Sequence, residues 1–223
     1  MSNYTEENLI WSALDAPLIQ PNNWDLFWDA WNKHAGSSYL IKSDPAGNIL
    51  SPTTQDTDFF KGLNIYSIDD RLINGGNHWQ VPYLDYKEIF PNVLDDLHAA
   101  FPWAQFIFCR LWMSNIPIPW HRDHAPEAGA LRAMIYNENK KPTFKVFNPS
   151  QIFNPSHGKY YVDLPETTNT FIYNNKVCMH GSDREEGINK IILLTLHLIK
   201  DRQLFEEHLK KSAEKYPANH KYT

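Results

Sequence analysis

Apolar residues set the first clear rhythm in the chain between Trp24 and His34. Trp24, Leu26 with Phe27, Trp28 and Trp31 recur there at helical spacing, and Asn22-Asn23 ahead of them offers an N-cap. This predicts a helix over 24–34, closed by Gly36, whose tryptophan-rich stripe is the buried face of a packing helix rather than a ligand box. Upstream, Trp11 to Pro21 is punctuated by proline and predicts irregular chain. From Ser37 to Gln80 short apolar runs alternate with turn signals such as Pro45-Ala46-Gly47-Asn48 and Asn74-Gly75-Gly76-Asn77; Tyr39-Leu40-Ile41 and Leu63-Asn64-Ile65-Tyr66 are candidate strands. A second helix is predicted from Pro91 to Phe101, with Val93, Leu94, Leu97 and Ala100 on its apolar face and Pro102 as its stop.

After Pro102 the period shortens. Phe106 to Met113 is a strand apolar on both faces except for Arg110, and further strands are predicted at Leu131 to Tyr136, Thr143 to Phe147, Lys159 to Leu164, Asn169 to Tyr173 and Lys190 to Ile199. Turns such as Asn137-Glu138-Asn139-Lys140 and Asn174-Asn175 separate them. A run of short strands of this kind indicates an antiparallel sandwich or barrel, mainly β with flanking α-helices. Beyond Asp201, Leu204, Phe205, His208 and Leu209 share a helical face, so a terminal helix packs on the sheet and fades into a polar end at Pro217 to Thr223. The expected organisation is one domain over 1–223: a helical and loop-rich flank to residue 100, a β core over 101–200, and a C-terminal helix and tail.

Composition narrows the function classes. At 223 residues the chain is long enough to bury a large core. A net charge of -5 without a long basic run argues against the nucleic-acid backbone as a partner. The first residues lack a basic region followed by an apolar core, and no apolar run approaches the roughly 20 residues of a membrane span, so a soluble cytoplasmic protein is expected. Cys109 and Cys178 stand alone in apolar segments, which predicts buried thiols and excludes both a disulfide framework and a cysteine-rich zinc site. The 8 tryptophans are read as lining for a core and pocket, because base stacking would want interleaved Lys and Arg.

The candidate chemistry lies in Pro119-Trp120-His121-Arg122-Asp123-His124 and in Cys178-Met179-His180-Gly181. His121 and Asp123 place an imidazole and a carboxylate two positions apart, on one side of an extended backbone. His180, two hairpins further on in a barrel of short strands, can return beside them and complete a set of two histidines and one carboxylate with open positions for oxygen and substrate. Lys190, ten positions after His180, opens the apolar strand Ile191 to Leu196. His124 would point to the opposite side of an extended chain from Asp123, and Arg122 and Arg184 are read as solvated. Arg110 is a guanidinium in an otherwise apolar strand and wants a partner. Trp112 and Trp120 are candidates for a pocket wall, and His197 is read as a core histidine. No Gly-x-Ser-x-Gly elbow competes.

The order His121-x-Asp123, His180, Lys190 resembles the iron(II)/2-oxoglutarate-dependent dioxygenases, whose fold is a double-stranded β-helix, a jelly-roll and cupin-like core. Within them, Pro119 through Leu131-Arg132-Ala133-Met134 to His180 is most similar to the aspartyl/asparaginyl β-hydroxylase-like and proline-hydroxylase-like branch. The resemblance covers Phe106 to Ile199. It implies that His121, Asp123 and His180 bind Fe(II), that Lys190 pairs with the distal carboxylate of 2-oxoglutarate, and that Arg132 contacts cosubstrate or substrate. It also implies hydroxylation of an unactivated carbon of an amino acid, peptidyl side chain or other small substrate with O2, releasing succinate and CO2. That branch usually carries Arg where Lys190 stands, a bidentate fork where Lys is a point charge. Two other classes remain: a cupin-like metalloenzyme without 2-oxoglutarate, and a non-catalytic ligand-binding barrel. The discriminating expectation is that Lys190 and the three ligands face one cavity.

Overall fold

Hydrogen-bonded pairing gathers most strands of the chain into two sheets. The computed structural model describes residues 5, 7–37, 42–43, 49–50, 60–68, 82–114, 118–121, 129–136, 145–147, 159–175, 178–182 and 190–222. Fourteen strands lie among them: β1 (Leu9–Ala13), β2 (Gly36–Ser37), β3 (Lys42–Ser43), β4 (Ile49–Leu50), β5 (Phe60–Ser67), β6 (Ala104–Ser114), β7 (Ile118–His121), β8 (Gly129–Tyr136), β9 (Lys145–Phe147), β10 (Lys159–Tyr161), β11 (Thr170–Tyr173), β12 (Met179–Ser182), β13 (Lys190–Ile199) and β14 (His220–Tyr222). An eight-stranded sheet has the order β14-β1-β11-β8-β13-β6-β5-β2, and a four-stranded sheet the order β10-β9-β12-β7; β3 and β4 form a separate pair. The protein is mainly β with some helices.

The helices cover one face of the large sheet. Helix Trp24–His34 starts where the Asn23 side chain accepts a 3.0 Å bond from the Leu26 N–H, as the sequence predicts, but it ends on Ala35, with Gly36 already in β2. Of its expected stripe, Phe27 and Trp31 are buried, whereas Leu26 is 42% exposed. Helix Val93–Ala100 buries Val93, Leu94 and Leu97, preceded by a short helical turn Tyr86–Ile89 that no periodicity announces. Helix Arg202–Lys215 is capped by Asp201, whose carboxylate accepts from the Leu204 N–H at 3.0 Å, and buries Phe205 and Leu209. These side chains form one cluster with Leu63, Ile65, Cys109, Leu111, Ile191 and Leu193 of the sheet. Each large side chain so buried contributes about 1.5–3 kcal/mol.

The six strands expected after Pro102 are all present, with shorter β9, β10 and β11. Two more, β7 and β12, lie between them. The first hundred residues are not only a helical flank, because β1, β2 and β5 belong to the large sheet. β1 corrects the irregular reading of the chain at Trp11: Trp11 pairs with Tyr173 and Ala13 with Phe171, while Pro17 and Pro21 lie beyond the strand. The polar end is also corrected in part. His220–Tyr222 pairs with β1, so the tail is held by a strand that precedes it by some two hundred residues. Tyr39, Leu40, Ile41 and the Gly75-Gly76 turn lie outside the described residues. No helix among the described residues is long and apolar enough to cross a membrane.

Candidate metal centre and the sheet face around it

The other face of the large sheet looks at the small sheet. Trp11, Ala13, Phe171, Tyr173 and Ile192 cluster with Val146 of β9 and Cys178, with Trp112 packed against them. Because side chains alternate with period two, every residue in step with Ile192 and Trp112 stands on this inner face. On β13 these are Ile192 and Leu194. On β8 the backbone positions paired with Lys190, Ile192 and Leu194 are Tyr136, Met134 and Arg132. On β6 the inner face includes Arg110, paired with Leu194.

His180 sits on the small sheet facing this surface. It pairs with Val146 of β9 on one side and with His121 of β7 on the other, so the three share one sheet face. The His180 side chain is buried, and its ring lies 4.9 Å from that of Tyr173 in the large sheet, which fixes the face as the inner one. Residues directly opposite on antiparallel strands have Cβ atoms roughly 4.5–5.5 Å apart. The two histidines named by the sequence therefore occupy directly paired backbone positions on β12 and β7. Between His180 and Ser182 the pairing with β7 shifts register, an irregularity of the kind that re-aims side chains near functional sites. Pro119 is compatible with β7 because β7 is the edge of its sheet and needs no donor on its outer side.

Asp123, the expected third ligand, lies outside the described residues, as do Arg122, His124 and Arg184. Among the described residues no group of three or more His, Cys, Asp or Glu side chains is assembled. The structure thus brings His121 and His180 together and leaves the carboxylate to be tested. Two imidazole-bearing positions at one register step suit a borderline cation such as Fe(II), so the part of the set that is described fits the metal that the sequence resemblance implies.

Lys190 and Arg132 occupy different rows of the β13–β8 pairing. Lys190 is opposite Tyr136 and Arg132 opposite Leu194, four residues along each strand. At about 3.4 Å per residue this is on the order of 14 Å, so the two cations mark two separate places.

Arg110 is the residue that sequence reading flagged without assigning. It is partly buried, its Nε–H donates to the Asn64 side-chain oxygen at 2.7 Å, and its guanidinium lies 5.1 Å from the centre of the Phe108 ring. Asn64 is thus one of its partners. His197 is fully buried on the helix side, 5.3 Å from the Trp103 ring, as a core histidine should be. Cys109 and Cys178 are buried free thiols in different clusters, and burial raises the pKa of Cys109 far above the ordinary thiol range.

No protein-family model matches the chain, and no curated protein sequence matches it. Among solved structures the chain is similar to an oxidoreductase of the 2OG-Fe(II) oxygenase family from Burkholderia pseudomallei, with 13% identity and a TM-score of 0.40, covering 68% of this chain and 73% of that one.

Proposed function

We propose that this protein is an iron(II)/2-oxoglutarate-dependent oxygenase built on a double-stranded β-helix. Support for the architecture comes from strand order. From β6 to β13 the chain alternates between the sheets, leaving β11-β8-β13-β6 in the large one and β10-β9-β12-β7 in the small one. Only β9 and β10 follow each other within one sheet. Eight strands divided between two sheets agree in number and division with a double-sheet jelly roll, which supports this reading.

The observation that carries the activity is the direct pairing of the His121 and His180 positions in the small sheet, with Lys190 opening β13 of the large one. His121, His180 and Asp123 would hold the ion. Iron(II), when bound with 2-oxoglutarate and O2, supplies an oxidant able to hydroxylate an unactivated carbon, and the organic products are succinate and CO2. The chain's own part is to hold, orient and shield. Tyr173, Phe171 and Val146 close the space beside His180 and keep water from that side. Lys190 anchors the distal carboxylate of 2-oxoglutarate as a point charge; the branch with aspartyl/asparaginyl and proline hydroxylases uses arginine there, so binding through Lys190 is expected to tolerate small shifts of the dicarboxylate.

The test is Mn(II) and 2-oxoglutarate binding by calorimetry, alongside succinate release with Fe(II) over a panel of small and peptidyl substrates. Loss of Mn(II) binding in His121→Ala and His180→Ala, with folding intact, is expected. Metal binding that survives both substitutions sinks the reading.

A further inference from the structure

Two rows of three residues face each other across the sandwich. In the large sheet Trp11 of β1 pairs with Lys221 of β14 on one side and with Tyr173 of β11 on the other. In the small sheet Val146 of β9 pairs with Tyr160 of β10 and with His180 of β12. Contacts between the sheets join both ends of these rows. The Lys221 Nζ lies 5.5 Å from the centre of the Tyr160 ring, and the Tyr173 and His180 rings lie 4.9 Å apart. Between them Trp11 and Val146 share one buried cluster. His180 thus stands at one end of a packed layer whose other end is formed by β14 and β10, each the end strand of its sheet. The layer spans two strand spacings, roughly 10 Å, and a close-packed interior transmits a shift over that distance.

The segment 216–222 holds the two end strands together. It is fixed to the large sheet, since His220–Tyr222 pairs with β1 and the Asn219 carbonyl accepts from the Ala13 N–H at 2.9 Å. The same few residues reach β10 and the chain just after it. The Tyr216 and Thr167 hydroxyls lie 3.0 Å apart in a hydrogen bond, the Asn219 side-chain amide donates to the Asp163 carbonyl at 2.8 Å, and Lys221 covers the Tyr160 ring. Tyr216 is also buried in the inner cluster, with Val162, Leu164 and Cys178.

We propose that segment 216–222 is a clasp that keeps the inner core shut and positions the His180 ring through the layer. Calling His180 a metal ligand rests on the oxygenase reading, while the clasp itself stands on the contacts between the sheets.

The two buried thiols report on the two cores separately, because Cys178 belongs to the inner cluster and Cys109 to the helix side. Full-length variants should be labelled with a maleimide under native conditions and followed by mass spectrometry. Tyr216→Phe, Asn219→Ala and Lys221→Met combined should speed labelling of Cys178 about tenfold or more and leave Cys109 unchanged. Lys221→Met alone changes one exposed side chain, so it serves should the triple variant melt; it should speed Cys178 about twofold to fivefold, and Lys221→Arg should restore protection. The NMR signal of the His180 ring protons, displaced by the Tyr173 ring, should move in the triple variant and in Lys221→Met and return in Lys221→Arg. The Mn(II) Kd per folded molecule should rise in the same order, about threefold or more in the triple variant. Cys178 protection unchanged by these substitutions, equal acceleration of Cys109 and Cys178 in Lys221→Met, or an unmoved His180 signal would each overturn the clasp. If the wild-type chain binds no Mn(II) while Cys178 labelling and the His180 signal still follow Lys221, the oxygenase reading falls and the clasp stands.

Discussion

The two faces of the eight-stranded sheet are made from alternate residues of the same strands, yet they hold opposite chemistry. On β13, Ile191, Leu193 and Thr195 turn to the helices and are buried, and across from them on β6 stand Cys109 and Leu111. The next residues along, Ile192 and Leu194, belong to the inner face with Trp112 and Arg110. A one-residue step along the strand passes from an interior that resembles any packed core to a face that holds the Arg110 position on β6 and lies across from the buried His180. Period-two alternation thus lets one strand stabilise the fold and build the site independently. Substitutions on the two faces should therefore separate cleanly into stability effects and binding effects.

The largest effect expected is on the inner wall. His180→Ala should abolish metal-dependent succinate release and weaken Mn(II) binding by more than about a hundredfold, while the melting temperature of the metal-free protein changes little. A collapse of the fold, with binding per folded molecule unchanged, would erase the distinction between the faces. On the outer face, Leu193→Ala removes a fully buried side chain packed between sheet and helices and should cost about 3 kcal/mol in urea unfolding. Its folded fraction should bind Mn(II) as the wild type does. Smaller again, Lys190→Met should raise the Kd for 2-oxoglutarate about tenfold without altering Mn(II) affinity, and Lys190→Arg should restore most of the loss. An Arg132 variant with the larger effect on 2-oxoglutarate would exchange the two roles.

What the sequence made legible follows the range of the interactions involved. Helix Trp24–His34 and the long strands β6 and β13 are written in local periodicity, and the Asn23 and Asp201 caps act within three residues. β7 and β12, only four residues each, contain Pro119 and Gly181 and have too few alternations to register; they exist because β12 is paired on both sides. β1 and β14 are likewise defined by partners far away in the chain. The site shows the same division. His121 and His180 could be named from residue type and order, and the pairing shows that they are neighbours. The backbone row Asn64, Arg110, Leu194, Arg132, Phe171 of the large sheet could not be read, because register between residues 39 or more positions apart leaves no mark in local sequence. Arg110 announced itself only as a charge in an apolar strand.

The outer face carries polar groups of its own, and one of them yields the smallest effect. His208, on helix Arg202–Lys215, accepts from the Trp103 indole N–H at 3.3 Å through Nδ1, and its ring lies 5.7 Å from Phe101. Burial lowers its pKa from the ordinary 6.5, opposed by Asp15 and assisted by Lys211. The folded state therefore prefers the neutral ring, and below pH 6.5 the unfolded chain takes up the proton first. The contribution of His208 is intact above that pH and is lost progressively as pH falls towards the lower folded value. Protonation also removes the Nδ1 lone pair that Trp103 uses. Urea unfolding between pH 8 and 5 should show a stability loss of about 1 kcal/mol that His208→Gln reduces, since glutamine can still accept from the indole but does not titrate. Mn(II) affinity, corrected for the folded fraction, should follow the same pH course in the His208→Gln variant and the wild type. If that corrected affinity instead moves with the His208 substitution, the helix face and the metal-bearing face are energetically coupled through the sheet, and the separation between them fails at this point.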